Sequence, residues 1–326
     1  MATVVNKQPE ISEMFANLMA KNLLQHAYIF EGVSGTGKYD MAKWVAQGLF
    51  CQNVSAEHYP CLECNQCKRI ELEEHPDVIT IEPDGLSIKV DQVRAIKEEF
   101  SKGGMETRRK ILIIQDMDKM TTNAANSLLK FIEEPEGEFT MMLLTTEVQQ
   151  LLPTIVSRAQ VVHFPVRDIK LRMEDMLTRD VPEEYASILA YLTQDTDKAL
   201  SMYEDEHFTE MVQMIWEWFL LLEEKKDRAF IFVQTHLMTL ASNRAYASLM
   251  LDLLMLIYRD LMAVYYEQDR VLAFSKHTGR FEQLAEQTTE NKLSDTLVLL
   301  LEGQKKLRRY VAAQDVFEQI ALKIKF

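Results

Sequence analysis

The sequence predicts an α/β domain with a largely parallel sheet in its first half and long helices in its second half. Seven of the eight prolines and eight of the ten glycines lie within the first 165 residues, where they mark turns between short elements. Short, continuous apolar runs alternate there with helical patterns, as buried parallel strands and their connecting helices do. The second half repeats apolar residues every three or four positions, which indicates packed helices. Pro165 is the predicted boundary.

The elements of the first half follow in order from these patterns. Five apolar runs have the length of buried strands, and three stretches between them have apolar residues at helical spacing. We expect Asp91 to cap the second helix and Pro135 to end the third. Strands are predicted at 27–30, 78–81, 110–114, 141–145 and 161–164, and helices at 38–50, 91–100 and 121–133.

Composition bounds the class of protein. The chain has 326 residues, of which 47% are hydrophobic and 26% charged, as in globular proteins of two or three domains. A net charge of −14, spread over both halves, argues against a protein that grips nucleic acid over a broad basic face. The start of the chain has no secretion signal, and charges at Asp252, Arg259 and Asp260 interrupt the apolar stretch 249–266, which we interpret as a buried helix. These features predict a cytoplasmic protein without a membrane span.

A phosphate-binding loop is predicted between the first strand and the first helix. Residues 32–38 read G-x-x-x-x-G-K, in which glycines let backbone N–H groups surround phosphate oxygens and the lysine contacts the terminal phosphates. A turn that is merely rich in glycine is the plainer alternative, but the strand–loop–helix context favours a nucleotide site. The candidate phosphate-binding residues are Gly32, Gly35, Thr36, Gly37 and Lys38.

Two positions depart from a working ATPase. The residue after the lysine usually carries the small hydroxyl that holds Mg²⁺, and here it is Tyr39. Gln115 and Asp116 directly follow the third predicted strand, where an ATPase needs an acidic magnesium ligand and then a residue that orients or polarises the attacking water. If Gln115 is at the ligand position, the carboxylate for magnesium is missing. In the alternative register Asp116 binds the metal, and Met117 stands at the position of the base. Asp116 and Asp118 could equally be a helix cap and surface charge. Together the two departures predict a P-loop domain that does not hydrolyse ATP.

The four cysteines form a spaced cluster. Cys51, Cys61, Cys64 and Cys67 follow the pattern C-x9-C-x2-C-x2-C, and four thiolates complete a closed tetrahedral zinc shell. A disulfide suits a chain without a secretion signal poorly. A redox C-x-x-C leaves two cysteines unused, and iron–sulfur ligands are usually spaced differently. We therefore expect a structural, non-catalytic zinc in a module at about 51–75.

Three features together resemble the bacterial clamp-loader subunits of the AAA+ family. They are the loop GVSGTGKY, the four-cysteine insertion after its helix, and NAANSLLKFIEEP at 123–135 followed by TIVSRA at 154–159. The resemblance covers residues 4–165 strongly, and beyond them it rests on length and helical character. From composition alone Arg158 would be an ordinary surface arginine. The resemblance instead implies that Arg158 is an arginine finger acting in trans, although Ala159 stands where the family motif has cysteine.

The resemblance also implies an architecture and a role. It implies an AAA+ P-loop domain with a zinc module at 1–165, a helical lid at 166–205 and an all-α collar at 206–326. Alignment on the LLK stretch places Gln115 at the magnesium aspartate of active relatives, and the nucleotide-sensing arginine of their lid has no counterpart in 195–200. The implied role is a ring member that does not hydrolyse ATP itself, and the retained Lys38 leaves open whether the loop holds ATP, ADP or neither.

The implied partners are the other clamp-loader subunits, namely tau- or gamma-like motor subunits and delta, and the sliding clamp. Primer-template DNA is expected to be a partner only within the assembled DNA polymerase III holoenzyme. Two alternatives remain open. The chain could be an active motor subunit of the gamma or tau kind, or a zinc-stabilised nucleic-acid-binding module with a vestigial P-loop.

Overall fold

The computed structural model describes residues 4–101, 107, 109–133, 138–224 and 226–324. The predicted stop at Pro135 lies outside these residues. The chain divides into two compact units, Met1–Arg167 and Asp168–Phe326. Each unit is described by itself.

The first unit is built on a five-stranded parallel sheet, so the predicted α/β domain and its five strands are confirmed. The strand order is β2-β3-β4-β1-β5, which places β1 between β4 and β5. The strands are β1 (Ala27–Glu31), β2 (Val78–Ile81), β3 (Arg109–Ile114), β4 (Glu138–Thr145) and β5 (Gln160–His163).

Helices surround the sheet on both faces, which explains why the strands are continuous apolar runs. Tyr28 and Phe30 point into one core, and Ile29 points into the other. The first core includes residues of α2 and α3, and the second includes residues of α5, α6 and α7. The described helices of this unit are α1 (Val4–Lys7), α2 (Pro9–Ala20), α3 (Lys38–Phe50), α4 (Asn65–Glu71), α5 (Val90–Ser101), α6 (Thr122–Glu133) and α7 (Pro153–Val156).

The cap predicted for the second helix is wrong in position. Helix α5 begins at Val90, so Asp91 lies inside its first turn rather than before it. The side chain of Gln92 instead accepts a hydrogen bond from the backbone N–H of Lys89 at 3.0 Å. The carboxylate in the first turn still complements the positive end of the helix, which is why the sequence pattern resembled a cap.

The second unit is helical throughout the residues described in it. The apolar stretch interpreted as a buried helix lies in α14, where Leu253, Leu254 and Ile257 are fully buried. Within the described ranges, no helix is both long and apolar enough to cross a membrane. The division into lid and collar at residue 205 stays a prediction. The helices are α8 (Ile169–Leu177), α9 (Glu183–Leu192), α10 (Thr196–Tyr203), α11 (Phe208–Glu224), α12 (Lys226–Phe232), α13 (Met238–Ala241), α14 (Arg244–Tyr265), α15 (Thr278–Ala285), α16 (Glu290–Arg308) and α17 (Ala313–Lys323).

Candidate functional site

The predicted phosphate-binding loop connects the carboxyl end of β1 to the start of α3. Gly35 and Gly37 have φ angles of +85° and +86°, a left-handed conformation that favours glycine. A Cβ atom on Gly32 would lie 2.7 Å from the carbonyl oxygen of Phe164, so only glycine fits there. The backbone therefore requires all three glycines of the motif.

Lys38 and Thr36 hold the loop together from within. The Lys38 ammonium donates hydrogen bonds to the carbonyl of Val33 at 2.9 Å and to that of Gly32. The buried Thr36 hydroxyl donates to the same Val33 carbonyl at 2.9 Å. Burial lowers the pKa of Lys38, and the carboxylates of Asp116 and Asp118 partly oppose that shift. The lysine therefore lies where the loop and the ends of neighbouring strands meet.

Sequence reasoning missed Gln8, which braces the loop from the amino-terminal segment. Its side chain is 3% exposed, and its amide donates to the carbonyls of Thr36 and Pro165, both at 3.0 Å. A Cβ built on Gly37 would lie 3.7 Å from Val4 Cγ2, so α1 also packs against the loop. No motif marks these residues, because the contact depends on where the chain folds back.

The carboxylates after β3 have local partners. Asp116 adopts a left-handed backbone (φ +47°) and pairs with the Lys119 ammonium at 2.8 Å. Asp118 accepts hydrogen bonds from the hydroxyl of Thr145 at 2.9 Å and from the N–H of Thr146 at 3.3 Å. Asp116 makes no side-chain capping bond to the turn that follows it. Asp118 thus ties the turn after β3 to the end of β4, while Asp116 stabilises that turn locally.

Tyr39 is occupied elsewhere than at the loop. Its hydroxyl donates to Glu73 Oε1 at 2.6 Å, just beyond the end of α4. Burial, reinforced by the hydrogen bond to Glu73, raises the pKa of Tyr39 far above its usual value. The phenol therefore stays protonated and hydrogen-bonded to Glu73, away from the phosphate-binding loop.

Arg158 and the phosphate-binding loop lie at opposite ends of the parallel strands. It precedes β5, and the β5–β1 pairing starts at Gln160 opposite Tyr28. Because the strands are parallel, Arg158 is at their amino edge and the loop is at their carboxyl edge. The roughly six residues between these edges span about 20 Å at ~3.3 Å per residue, beyond the reach of an arginine side chain.

The Arg158 guanidinium has partners on its own surface. It pairs with Glu133 at the end of α6, with 2.9 Å between Nη2 and Oε1, and donates to the carbonyl of Thr154 at 3.0 Å. The side chain is 41% exposed. The guanidinium is thus oriented by α6 and α7 and stays partly exposed to solvent.

The structure brings the four cysteines together. Their Sγ atoms lie within 4.8 Å of one another, and the 3.5 Å between the sulfurs of Cys51 and Cys61 is far longer than the ~2.05 Å of a disulfide. Tetrahedral zinc with bonds of about 2.3 Å requires sulfurs about 3.8 Å apart. Backbone N–H groups of Asn53 and Cys61 point at Cys51 Sγ, at 3.4 and 3.3 Å. The donor set therefore fits one metal ion in a closed site.

Comparisons with known proteins identify the family of the chain. A family model described as "DNA polymerase III, delta subunit" matches residues 7–168. DNA polymerase III subunit delta' of Bacillus subtilis (strain 168) is 37% identical over 315 residues, which are 97% of this chain and 95% of that subunit. Subunit delta' of Pseudomonas aeruginosa is 36% identical over 170 residues, 51% of each chain. Subunit tau of Bacillus subtilis is 33% identical over 153 residues, 47% of this chain and 27% of tau.

The tau match is confined to about half of this chain, whereas the Bacillus subtilis delta' match extends over nearly all of both chains. Full-length similarity at this identity identifies a family rather than a shared domain. This chain therefore belongs to the delta' family of DNA polymerase III subunits.

Proposed function

We propose that this chain is a clamp-loader subunit of the DNA polymerase III holoenzyme that does not hydrolyse ATP itself. It offers Arg158 as an arginine finger to the ATP site of a neighbouring motor subunit during loading of the sliding clamp in DNA replication. The observation that carries this proposal is the position of Arg158. Its exposed guanidinium lies at the sheet edge opposite its own phosphate-binding loop, so any phosphate it stabilises belongs to another subunit.

The proposed lack of ATP hydrolysis at the chain's own phosphate-binding loop follows from two side chains. The Tyr39 hydroxyl is bound to Glu73, and Gln115 stands where an acidic magnesium ligand is needed. The glycines and Lys38 are kept, so we infer that ATP or ADP can be held by the loop without turnover. Residues 195–200 begin α10 with an Asp195 cap and contain no arginine to sense the nucleotide.

The cysteine cluster is proposed to hold a structural zinc ion, with Cys51, Cys61, Cys64 and Cys67 as the four ligands. The ion supplies a crosslink between the end of α3 and the start of α4 and takes no part in chemistry. The proposed partners are tau- or gamma-like motor subunits, delta and the sliding clamp. Primer-template DNA is contacted only in the assembled complex.

Reconstitution with motor subunits and delta tests the proposal. Arg158→Ala should assemble normally and lower turnover at the one ATP site it serves by about 10³-fold, as loss of an arginine finger does. ATPase and clamp loading by the whole complex should both fall. Arg109→Ala is a matched control, because Arg109 is also ion-paired near the amino edge, 3.1 Å from Glu138. Equal rates for the Arg158 variant and the wild type would refute the finger assignment.

An active motor subunit is the second candidate. All the fixed residues of the G-x-x-x-x-G-K pattern are present, and subunit tau of Bacillus subtilis is similar to about half of the chain. The purified chain decides between the two. Mg²⁺-dependent ATP hydrolysis at rates similar to those of motor subunits would establish the second candidate and exclude the first.

A further inference from the structure

One face of α3 runs from the phosphate-binding loop to the cysteine cluster. Tyr39, Lys43, Gln47 and Cys51 follow one another at intervals of four residues. Residues four apart on a helix lie on the same face, one turn above the other. The first of them directly follows the loop lysine, and the last is the first cysteine of the cluster. The face therefore joins the two candidate sites of this unit.

Every member of this face contacts the segment that carries the cysteines. The Tyr39 hydroxyl donates to Glu73 Oε1 at 2.6 Å. The Lys43 ammonium pairs with Glu71 at 2.8 Å and lies over the Tyr39 ring, 5.3 Å from its centre. These contacts hold the end of α4, and the turn after it, against the first two turns of α3.

Gln47 makes the innermost contact. Its amide donates to the backbone carbonyl of Cys67 at 3.1 Å and to Glu71 Oε2 at 3.3 Å. Gln47 is 4% exposed and Cys67 is fully buried, so this hydrogen bond is shielded from water. A buried amide that lost its acceptor would carry a substantial desolvation cost. The bond therefore fixes α4, and Cys67 within it, against α3.

We propose that Tyr39, Lys43 and Gln47 are positioning residues for the metal ion, which hold Cys67 at the correct distance from Cys51. Cys51 directly follows α3 and Cys67 lies within α4, so their separation depends on how α3 and α4 pack. Residues that orient metal ligands from outside the coordination shell typically alter metal affinity by 10- to 100-fold. Tyr39 thus helps to position the metal ligands from a sequence position that holds magnesium in motor subunits. This inference rests on the zinc ion proposed above.

Zinc release from the full chain tests the inference. Wild-type protein, Tyr39→Phe, Gln47→Leu and Cys64→Ser are loaded with zinc, and transfer of the metal to a chromophoric chelator is followed with time. We expect Tyr39→Phe to release zinc several-fold faster than wild type and Gln47→Leu at least tenfold faster. Cys64→Ser, which removes a ligand, should bind weakest. Asp40→Asn is the matched control, because Asp40 is beside Tyr39 but pairs with Lys7 at 3.5 Å instead.

A second measurement separates positioning from general destabilisation. The cobalt-loaded proteins report the geometry of the ligand shell through their absorption bands, and Tyr39→Phe and Gln47→Leu should shift these bands while Asp40→Asn does not. Tyr39→Phe keeps the ring, so it should fold even if Gln47→Leu does not. Wild-type release rates and spectra in both variants would overturn the inference. A wild-type chain that binds no zinc would overturn the proposed zinc ion as well, which distinguishes the two failures.

Discussion

Lys38 matches the phosphate-binding pattern of motor subunits, whereas its neighbour Tyr39 departs from it. Lys38 keeps the residue type of a working loop and donates to the loop's own carbonyls. Tyr39 replaces the magnesium hydroxyl and is bound to Glu73. Phosphate contacts and magnesium chemistry depend on different atoms, so one can persist without the other. The proposal that the loop holds a nucleotide without hydrolysing it rests on this difference.

This distinction predicts the effect of removing the lysine. In the reconstituted complex, Lys38→Ala should lower ATPase less than Arg158→Ala, because the proposed function assigns no turnover to the chain's own site. We expect at most a twofold change, measured as steady-state ATPase at saturating ATP. Lys21→Ala is the control for loss of a positive charge, because Lys21 is exposed and belongs to neither candidate site. A loss larger than that of Arg158→Ala would indicate an active motor site.

At the scale of single residues, sequence reasoning succeeded where chemistry requires a fixed residue type. The cysteine spacing predicted a cluster that the structure assembles, and the three loop glycines occupy positions that demand glycine. Gln8 and Glu133 could not be predicted in this way. Each acts through a tertiary contact with a segment distant in sequence, and their residue types are common on any protein surface.

At the scale of elements, α14 and α16 enclose an acidic group that the sequence marked only as an interruption. Asp252 on α14 accepts a hydrogen bond from the Gln304 amide on α16. Burial raises the pKa of Asp252 to about 6, and the positive charge of Arg308 partly offsets this. The folded state therefore holds the proton more tightly than the unfolded chain, whose aspartates titrate near 3.9.

Because the pKa of Asp252 is higher in the folded state than in the unfolded chain, the stability of the protein should depend on pH. The stabilising contribution of protonated Asp252 is complete below about pH 4 and is lost as the pH rises through about 6. Asp252→Asn keeps an acceptor for Gln304 and cannot ionise, so it should stabilise the chain at pH 7.5 by on the order of 1 kcal/mol. Calorimetric melting should show a gain of a few degrees that vanishes at pH 4. A gain of equal size at both pH values, or one shared by the exposed control Asp295→Asn, would contradict the assignment.

The positions of strands were predictable from the sequence because both faces of the sheet are covered by helices. All five strands were found because a strand covered on both faces needs a continuous apolar run. Helix α5 was placed one residue late, since an acidic side chain suits both the cap and the first turn. Strand β4 begins at Glu138, earlier than predicted, because Glu138 and Thr140 flank Phe139 and interrupt the continuous apolar run where β4 pairs with the half-buried, basic start of β3.

At the scale of the whole molecule, charge and family membership point to the same kind of partner. The chain carries a net charge of −14, and the relative that it matches over nearly its full length is the delta' subunit of Bacillus subtilis DNA polymerase III. A negative chain repels the phosphate backbone, so any DNA contact must come from a small local patch or from neighbouring subunits. The net charge therefore agrees with the proposal that the partners of the isolated chain are proteins rather than DNA.

Direct binding of DNA by the isolated chain is the corresponding measurement. Fluorescence anisotropy with a labelled primer-template should give a dissociation constant weaker than about 10⁻⁴ M near physiological salt, at or beyond the weak end of non-specific binding. The reconstituted complex with ATP is the positive control, because its binding of the same DNA shows that the probe is competent. Micromolar binding by the chain alone, with affinity falling steeply as salt rises, would favour the zinc-stabilised nucleic-acid module. Such a result would require several phosphate contacts from a local basic site, since each contact releases about one counterion.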